Sequence, residues 1–130
     1  MVYEWSTGVQ FSEAQLHVAK FLRGKIVVGH QLWFDLAALN LRHLAIDTRD
    51  CALFLPFRGI LGVQPAELSL PALIWHLMRR KITAGYQNSL EDARACIDLF
   101  RAYETQWESF IQSGRWPCAL PPHEYQSFFS

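Results

Sequence analysis

The chain has 130 residues, 51% of them apolar and 18% charged, and its twelve basic and twelve acidic side chains cancel to no net charge. One domain with a buried core fits that length and composition, and wholesale disorder does not. A generally basic nucleic-acid coat is excluded, although a local patch is not, and no apolar run reaches membrane-spanning length.

The N-terminal stretch from Met1 to Ser6 lacks both a basic region and an apolar core, so it does not read as a secretory signal. Cys51, Cys96 and Cys118 are widely spaced, form no metal-type pair and read as free buried thiols. A nuclear or cytoplasmic setting is expected.

In chain order, the first helix is predicted to start at Ser12, with Gln15 completing a capping box, and to stop at Gly24. Lys25-Ile-Val-Val-Gly29 is short, β-branched and glycine-bounded, the signature of a buried strand. Residues 31 to 42 read as a second helix carrying Leu32, Leu36 and Leu39. The apolar piece Leu44-Ala-Ile46, running into Asp47-Thr48, reads as a second strand. Strand, helix and strand in succession make a βαβ unit with a parallel pair. Residues 50 to 57 give no clear pattern, and Gly59, Gly62 and Pro65 mark a loop. Ser69 caps a third helix through about Arg80, with Pro71 tolerated in its first turn. Ser89 caps the longest helix, about 90 to 112, which Gly114 and Pro117 stop. The tail from Pro117 to Ser130 is rich in proline and aromatics. It either covers the core or offers rings for base stacking, and the core is the favoured reading.

The long helix carries the best chemical clue. At 100° per residue, Cys96, Leu99, Tyr103, Trp107 and Phe110 all fall within about 60° of Asp92. Asp92 thus heads a core-facing stripe, whereas Glu91 and Asp98 lie off it. An inward carboxylate is costly without a partner. Asp92 is therefore either an N-terminal helix cap within Ser89-Leu-Glu-Asp92, favoured by the dipole, or a metal ligand or catalytic acid. Asp35 repeats the theme within about 60° of Leu32 and Leu39, and by pattern alone it reads first as a helix-flank carboxylate. His30 follows Gly29 at the C-terminal end of a strand, where α/β proteins place their sites, and it is either a structural histidine or a substrate contact. The other histidines lack zinc spacing. No phosphate-cradling glycine loop or nucleophile elbow occurs. Arg79-Arg80-Lys81 is a solvated helix end that could touch a phosphate.

Together these pieces resemble the DEDDh 3′–5′ exonucleases. Leu22-Arg-Gly-Lys-Ile-Val-Val-Gly-His-Gln-Leu-Trp-Phe-Asp35-Leu is similar to that family's second motif, and Asp47-Thr48 matches a short element that follows it. Ser69-Leu70 with Leu73 is similar to the next helix. Gln87-Asn-Ser-Leu-Glu-Asp92-Ala-Arg-Ala-Cys-Ile-Asp-Leu-Phe is similar to the third motif. Tyr3 to Gly8, and Phe11 with Ala14-Gln15, echo the segment before the second motif. The nearest subgroup is the eukaryotic RNA exonucleases, and the resemblance spans roughly residues 3 to 112.

The resemblance implies a ribonuclease H-like α/β fold, here truncated, with short parallel strands covered by helices. It further implies two Mg²⁺ or Mn²⁺ ions held by four carboxylates, and a general-base histidine, for removing nucleotides from a 3′ end. Asp35 and Asp92 match the second- and third-motif metal carboxylates. The opening Asp-x-Glu motif has no match, and the chain reads as beginning after the family's first three strands. Gln87 stands where the general-base histidine is expected, and glutamine cannot take a proton. Asn88 occupies the position that a related subclass gives to tyrosine, and Tyr86 is one residue out of place. Metal binding is expected to be weak or lost.

Residues 1–116 are accordingly expected to form the C-terminal part of an exonuclease-like domain, and 117–130 a tail. The implied function is a degenerate or partial exonuclease acting on or binding RNA or another single-stranded nucleic acid, with little or no catalysis by this chain alone. The alternative is a non-catalytic protein-interaction module. In the family, the strand matching Ile26, Val27 and Val28 lies beside the missing first strand, so an open apolar edge is expected there, available to a protein partner or to a second copy. No membrane partner is expected.

Overall fold

The computed structural model describes residues 8–61, 69–82 and 89–130. Among these, five α-helices surround a two-stranded sheet: α1 (Gly8–Leu22), β1 (Val27–Gly29), α2 (Leu32–Leu39), β2 (Thr48–Asp50), α3 (Leu55–Leu61), α4 (Leu70–Met78) and α5 (Ser89–Gln112). Short 3₁₀ segments cover Ala45–Asp47 and His123–Phe129. None of the described helices is long and apolar enough to cross a membrane.

β1 and β2 pair in parallel, with Val27 opposite Thr48, Val28 opposite Arg49 and Gly29 opposite Asp50. The expected βαβ unit is therefore present, with α2 as its crossover. Its second strand is displaced, however. Leu44 and Ile46 are exposed, and residues 45–47 form a 3₁₀ turn. The strand itself is the polar triplet Thr48-Arg49-Asp50, buried throughout. Those groups tolerate burial because each is hydrogen-bonded. Thr48 Oγ1 donates to the Leu44 carbonyl at 2.8 Å. Arg49, 3% exposed, donates through Nε and Nη2 to both oxygens of Glu108 on α5, at 2.7 and 3.1 Å, and through Nη1 to the carbonyls of Ile46 and Thr48.

Helix α1 already includes Gly8, the first described residue, so Ser12 lies inside it and forms no capping box with Gln15. Gln15 has a different task. Its amide Nε2 donates to the Leu39 carbonyl at 2.7 Å, satisfying an otherwise orphaned acceptor in the last turn of α2. Gly24, at φ +72°, ends the α1 turn as expected. Helix α2 is shorter than residues 31 to 42 because left-handed residues bound it, Gln31 at φ 56° and Asn40 at φ 50°. The unassigned stretch 50 to 57 holds the last residue of β2, a turn at 51–53 and the first turn of α3, and Gly59 lies within that helix rather than in a loop. Gly62 and Pro65 fall outside the described residues.

Ser69 caps α4 as expected, its Oγ accepting from Ala72 N–H at 3.3 Å, and left-handed Arg79 closes the helix just after Met78. The main core joins α3, α4 and α5 through Phe54, Phe57, Leu73, Ile74, Leu99 and Trp107. Phe54 stacks on Trp107 with ring centroids 4.0 Å apart and planes within 10°. The predicted stripe of α5 is the face that packs: Cys96, Leu99 and Trp107 are buried, and Tyr103 and Phe110 lie against the cluster.

The C-terminal segment is part of the packing. Ala119 N–H donates to the Leu53 carbonyl at 2.8 Å, and Leu55 N–H to the Pro117 carbonyl at 2.9 Å. Tyr125 and Phe129 lie against a second, smaller cluster of Trp33, Ala52 and Leu53. Its aromatics thus cover core, in agreement with the favoured reading, while Trp116 remains exposed.

Candidate functional site

Strand β1 ends at Gly29, and the chain turns at once into α2. A side chain at position 29 has no room, since a Cβ there would overlap the Leu32 side chain. This tight turn puts His30, half-buried, between strand and helix, and sets Asp35 one turn into α2. Asp35 is exposed at its outer side and lines a cavity of about 170 Å³ whose other walls include Val18, Leu22, Val27, Leu36 and His43. Burial against that apolar lining raises its carboxyl pKa, opposed by a hydrogen bond from its own backbone N–H.

The turn is held from a distance by a residue that local sequence patterns did not reveal. Asp50, at the end of β2, accepts from Gln31 N–H at 2.9 Å, Leu32 N–H at 2.8 Å and Ala52 N–H at 3.0 Å. It supplies the N-terminal cap that α2 lacks locally, where Gln31 makes no side-chain cap bond. Asp50 is almost wholly buried. Desolvation outweighs the three amide donors and the nearby Asp35 charge adds to it, so its pKa is pushed up to about 6. The one signal that could have flagged it is its place after Thr48 and Arg49, as a carboxylate one residue short of the buried Cys51.

Asp92 sits in the first turn of α5, half-buried. Its pKa is raised by desolvation and by the charge of Glu91. Asp35 and Asp92 thus stand on different helices. The charge felt by Asp92 is that of Glu91, whereas the charge of Asp35 reaches Asp50. Gln87, Asn88 and Tyr86 fall outside the described residues.

As donors, two carboxylates suit a hard divalent cation. Their number does not suit a two-ion site, and among the described residues no three His, Cys, Asp or Glu side chains form a group that could hold a metal ion.

The cysteines are free, as expected, with Cys51 and Cys96 buried and Cys118 partly so. The fold nevertheless brings two of them together. A side-chain hydrogen bond with Cys96, followed by burial, holds the Cys51 thiol well above its ordinary pKa, and burial pushes Cys118 up to about 12. Such thiols are poor nucleophiles, which argues for a packing role.

No family model matches the chain. Curated proteins do. The chain is 39% identical over 106 residues to RNA exonuclease 4 of Debaryomyces hansenii, a match covering 81% of this chain and 38% of that protein. It is 37% identical over 113 residues to apoptosis-enhancing nuclease of Homo sapiens, covering 85% of this chain and 35% of that protein. RNA exonuclease 4 of Saccharomyces cerevisiae is 37% identical over 119 residues, covering 82% of this chain and 41% of that protein. The chain therefore spans well under half the length of these relatives. Across most of its own length, this chain is a homologue of RNA exonuclease 4 and apoptosis-enhancing nuclease.

Proposed function

We propose that this chain is a partial DEDDh exonuclease domain of ribonuclease H-like descent. In this reading it binds single-stranded nucleic acid, RNA first, and hydrolyses it little or not at all on its own. What supports the reading is homology to nucleases, together with the residue types at the matched motif positions. By the sequence resemblance, Asp35 and Asp92 match the second- and third-motif carboxylates, and glutamine stands at position 87, where the general-base histidine is expected. His30, in the turn between β1 and α2, is the substrate contact in this reading, and residues 1–116 form the domain.

Asp35 and Asp92 are the side chains that would face Mg²⁺ or Mn²⁺. The ion would supply electrophilic help to a phosphodiester, but two carboxylates leave most of its shell to water and hold it weakly. Gln87 can orient a water and cannot accept its proton, and a missing base alone costs roughly 10²–10⁴ in rate. Titration with Mn²⁺, followed by electron paramagnetic resonance, tests the site. Weak binding lost in both Asp35→Asn and Asp92→Asn agrees with the proposal. Two tightly held ions would refute it.

A second reading, a protein-interaction module, draws on the sheet. Among the described residues β1 pairs only with β2, and Ile26, just before it, is 52% exposed. Pairing through Ile26, Val27 and Val28 with a partner or a second copy would satisfy that edge. Placing lysine at Val27 should then abolish self-association measured by sedimentation, and a wild-type monomer excludes the second-copy version.

A further inference from the structure

The basic cluster Arg79-Arg80-Lys81 plays no part in the site above, yet the fold gives it company. Arg80 and Lys81 share a hollow of about 530 Å³ with Leu90 and Arg94 at the start of α5. A second hollow of about 420 Å³ is bounded by Pro71, Trp75 and, again, Lys81. Lys81 and Ile82 line both hollows, which therefore adjoin at the segment after α4, one on its α4 side and the other at the start of α5, as an α4–α5 groove.

The groove combines two chemistries. Arg80, Lys81 and Arg94 line the larger hollow, and Arg79 precedes them, in a chain whose net charge is zero. Two carboxylates, Glu91 and Asp98, stand among them. Asp98 takes Arg80 at 3.0 Å, an ion pair exposed on both sides and so readily exchanged for another anion. Trp75 is 48% exposed, and the Arg79 guanidinium lies 6.0 Å from the centre of its ring. An exposed indole beside one arginine, in a hollow it shares with Lys81, offers what single strands require: cations for phosphates and a flat apolar face for a base. Each hollow is large enough for a nucleotide-sized group. At 100° per residue, Arg94 points about 160° away from Asp92 around α5. The groove therefore lies on a different side of the helix from Asp92.

We propose that the α4–α5 groove is an accessory binding track for single-stranded nucleic acid, with Lys81 and Arg94 contacting phosphates and Trp75 stacking a base. The proposal rests on the nucleic-acid reading given above and adds to it a surface separate from Asp35 and Asp92.

Fluorescence anisotropy with a short, mixed-sequence, fluorescein-labelled RNA tests it, at several salt concentrations. The double variant Lys81→Glu/Arg94→Glu should bind at least ten-fold more weakly, with its salt slope reduced by about 1.4, the loss of two single-strand phosphate contacts. Trp75→Ala should weaken binding about ten-fold and leave the salt slope unchanged. Lys20→Glu, an exposed charge reversal on α1, should have little effect. Circular dichroism establishes that each variant is folded, and the exposed single variant Trp75→Ala keeps the test open if the double variant is not. Patch variants that bind like Lys20→Glu would overturn the groove and leave the nucleic-acid reading standing. A wild-type chain that binds no RNA would overturn both. Poly-glutamate competing as well as RNA at equal charge would make the groove a general polyanion surface and also overturn the proposal.

Discussion

The carboxylate of Asp50 accepts the backbone N–H of Leu32 at 2.8 Å, so the second strand caps the helix that carries Asp35. The residues are 18 apart in sequence, and the parallel pairing of Gly29 with Asp50 is what brings them together. Asp50 thereby couples sheet formation to the geometry of the β1–α2 turn.

Removing that carboxylate should be costly. Asp50→Ala leaves the Gln31, Leu32 and Ala52 amides without their acceptor, at about 1–3 kcal/mol for a buried unsatisfied group. Urea unfolding should show a loss of about 2–4 kcal/mol after cavity effects are included. Asp50→Asn should lose less, because one carbonyl oxygen remains to accept. A loss below about 0.5 kcal/mol in the alanine variant would show that water replaces the cap.

The same residue sets a pH dependence. Its folded pKa of about 6 lies above the ordinary value of 3.8, so the native state holds the proton more tightly than the unfolded chain. Its contribution is fully present below about pH 4 and is lost as pH rises through about 6, at most about 3 kcal/mol. Asp35 and Asp92 are shifted in the same direction. Unfolding free energies compared between pH 4.5 and 7 should therefore fall less in Asp50→Asn than in wild type. Equal falls would assign the effect to other groups.

Much of the fold was legible locally. The Ser69 cap, the Gly24 stop and the apolar stripe of α5 depend on neighbours within a turn or two, and each stands where the pattern put it. The second strand did not follow the apolar run. Thr48, Arg49 and Asp50 are buried because of partners elsewhere in the chain, Glu108 among them, and periodicity cannot register such partners. Gln15 misled for the same reason, its side chain serving Leu39 rather than its own helix. Of the candidate site, Asp35 and Asp92 were visible as carboxylates at the edge of apolar stripes. Asp50, which sets the turn before Asp35, was not.

The Arg49–Glu108 pair ties β2 to α5. Glu108→Gln leaves the guanidinium buried with a neutral partner. With Arg49 3% and Glu108 28% exposed, the cost should lie near the lower end of the range for a broken buried pair, about 3 kcal/mol. A clear drop in Tm is expected. An unchanged Tm would mean that the carbonyls of Ile46 and Thr48 suffice to hold Arg49.

Restoring the base should not restore the reaction. Gln87→His supplies a titratable nitrogen but no further carboxylate, so the variant should release no nucleotide above the wild-type background. A gain in Mg²⁺-dependent release from that single change would mean that the metal ligands are already sufficient.

The most direct measurement is nucleotide release from 3′-labelled single-stranded RNA and DNA, in Mg²⁺ or Mn²⁺, with Asp92→Asn alongside. The label is expected to survive equally with wild type and variant, in keeping with the proposed lack of catalysis. Metal-dependent release by wild type that Asp92→Asn abolishes would contradict it, and would mean that a working site assembles without an Asp-x-Glu pair and with glutamine at position 87.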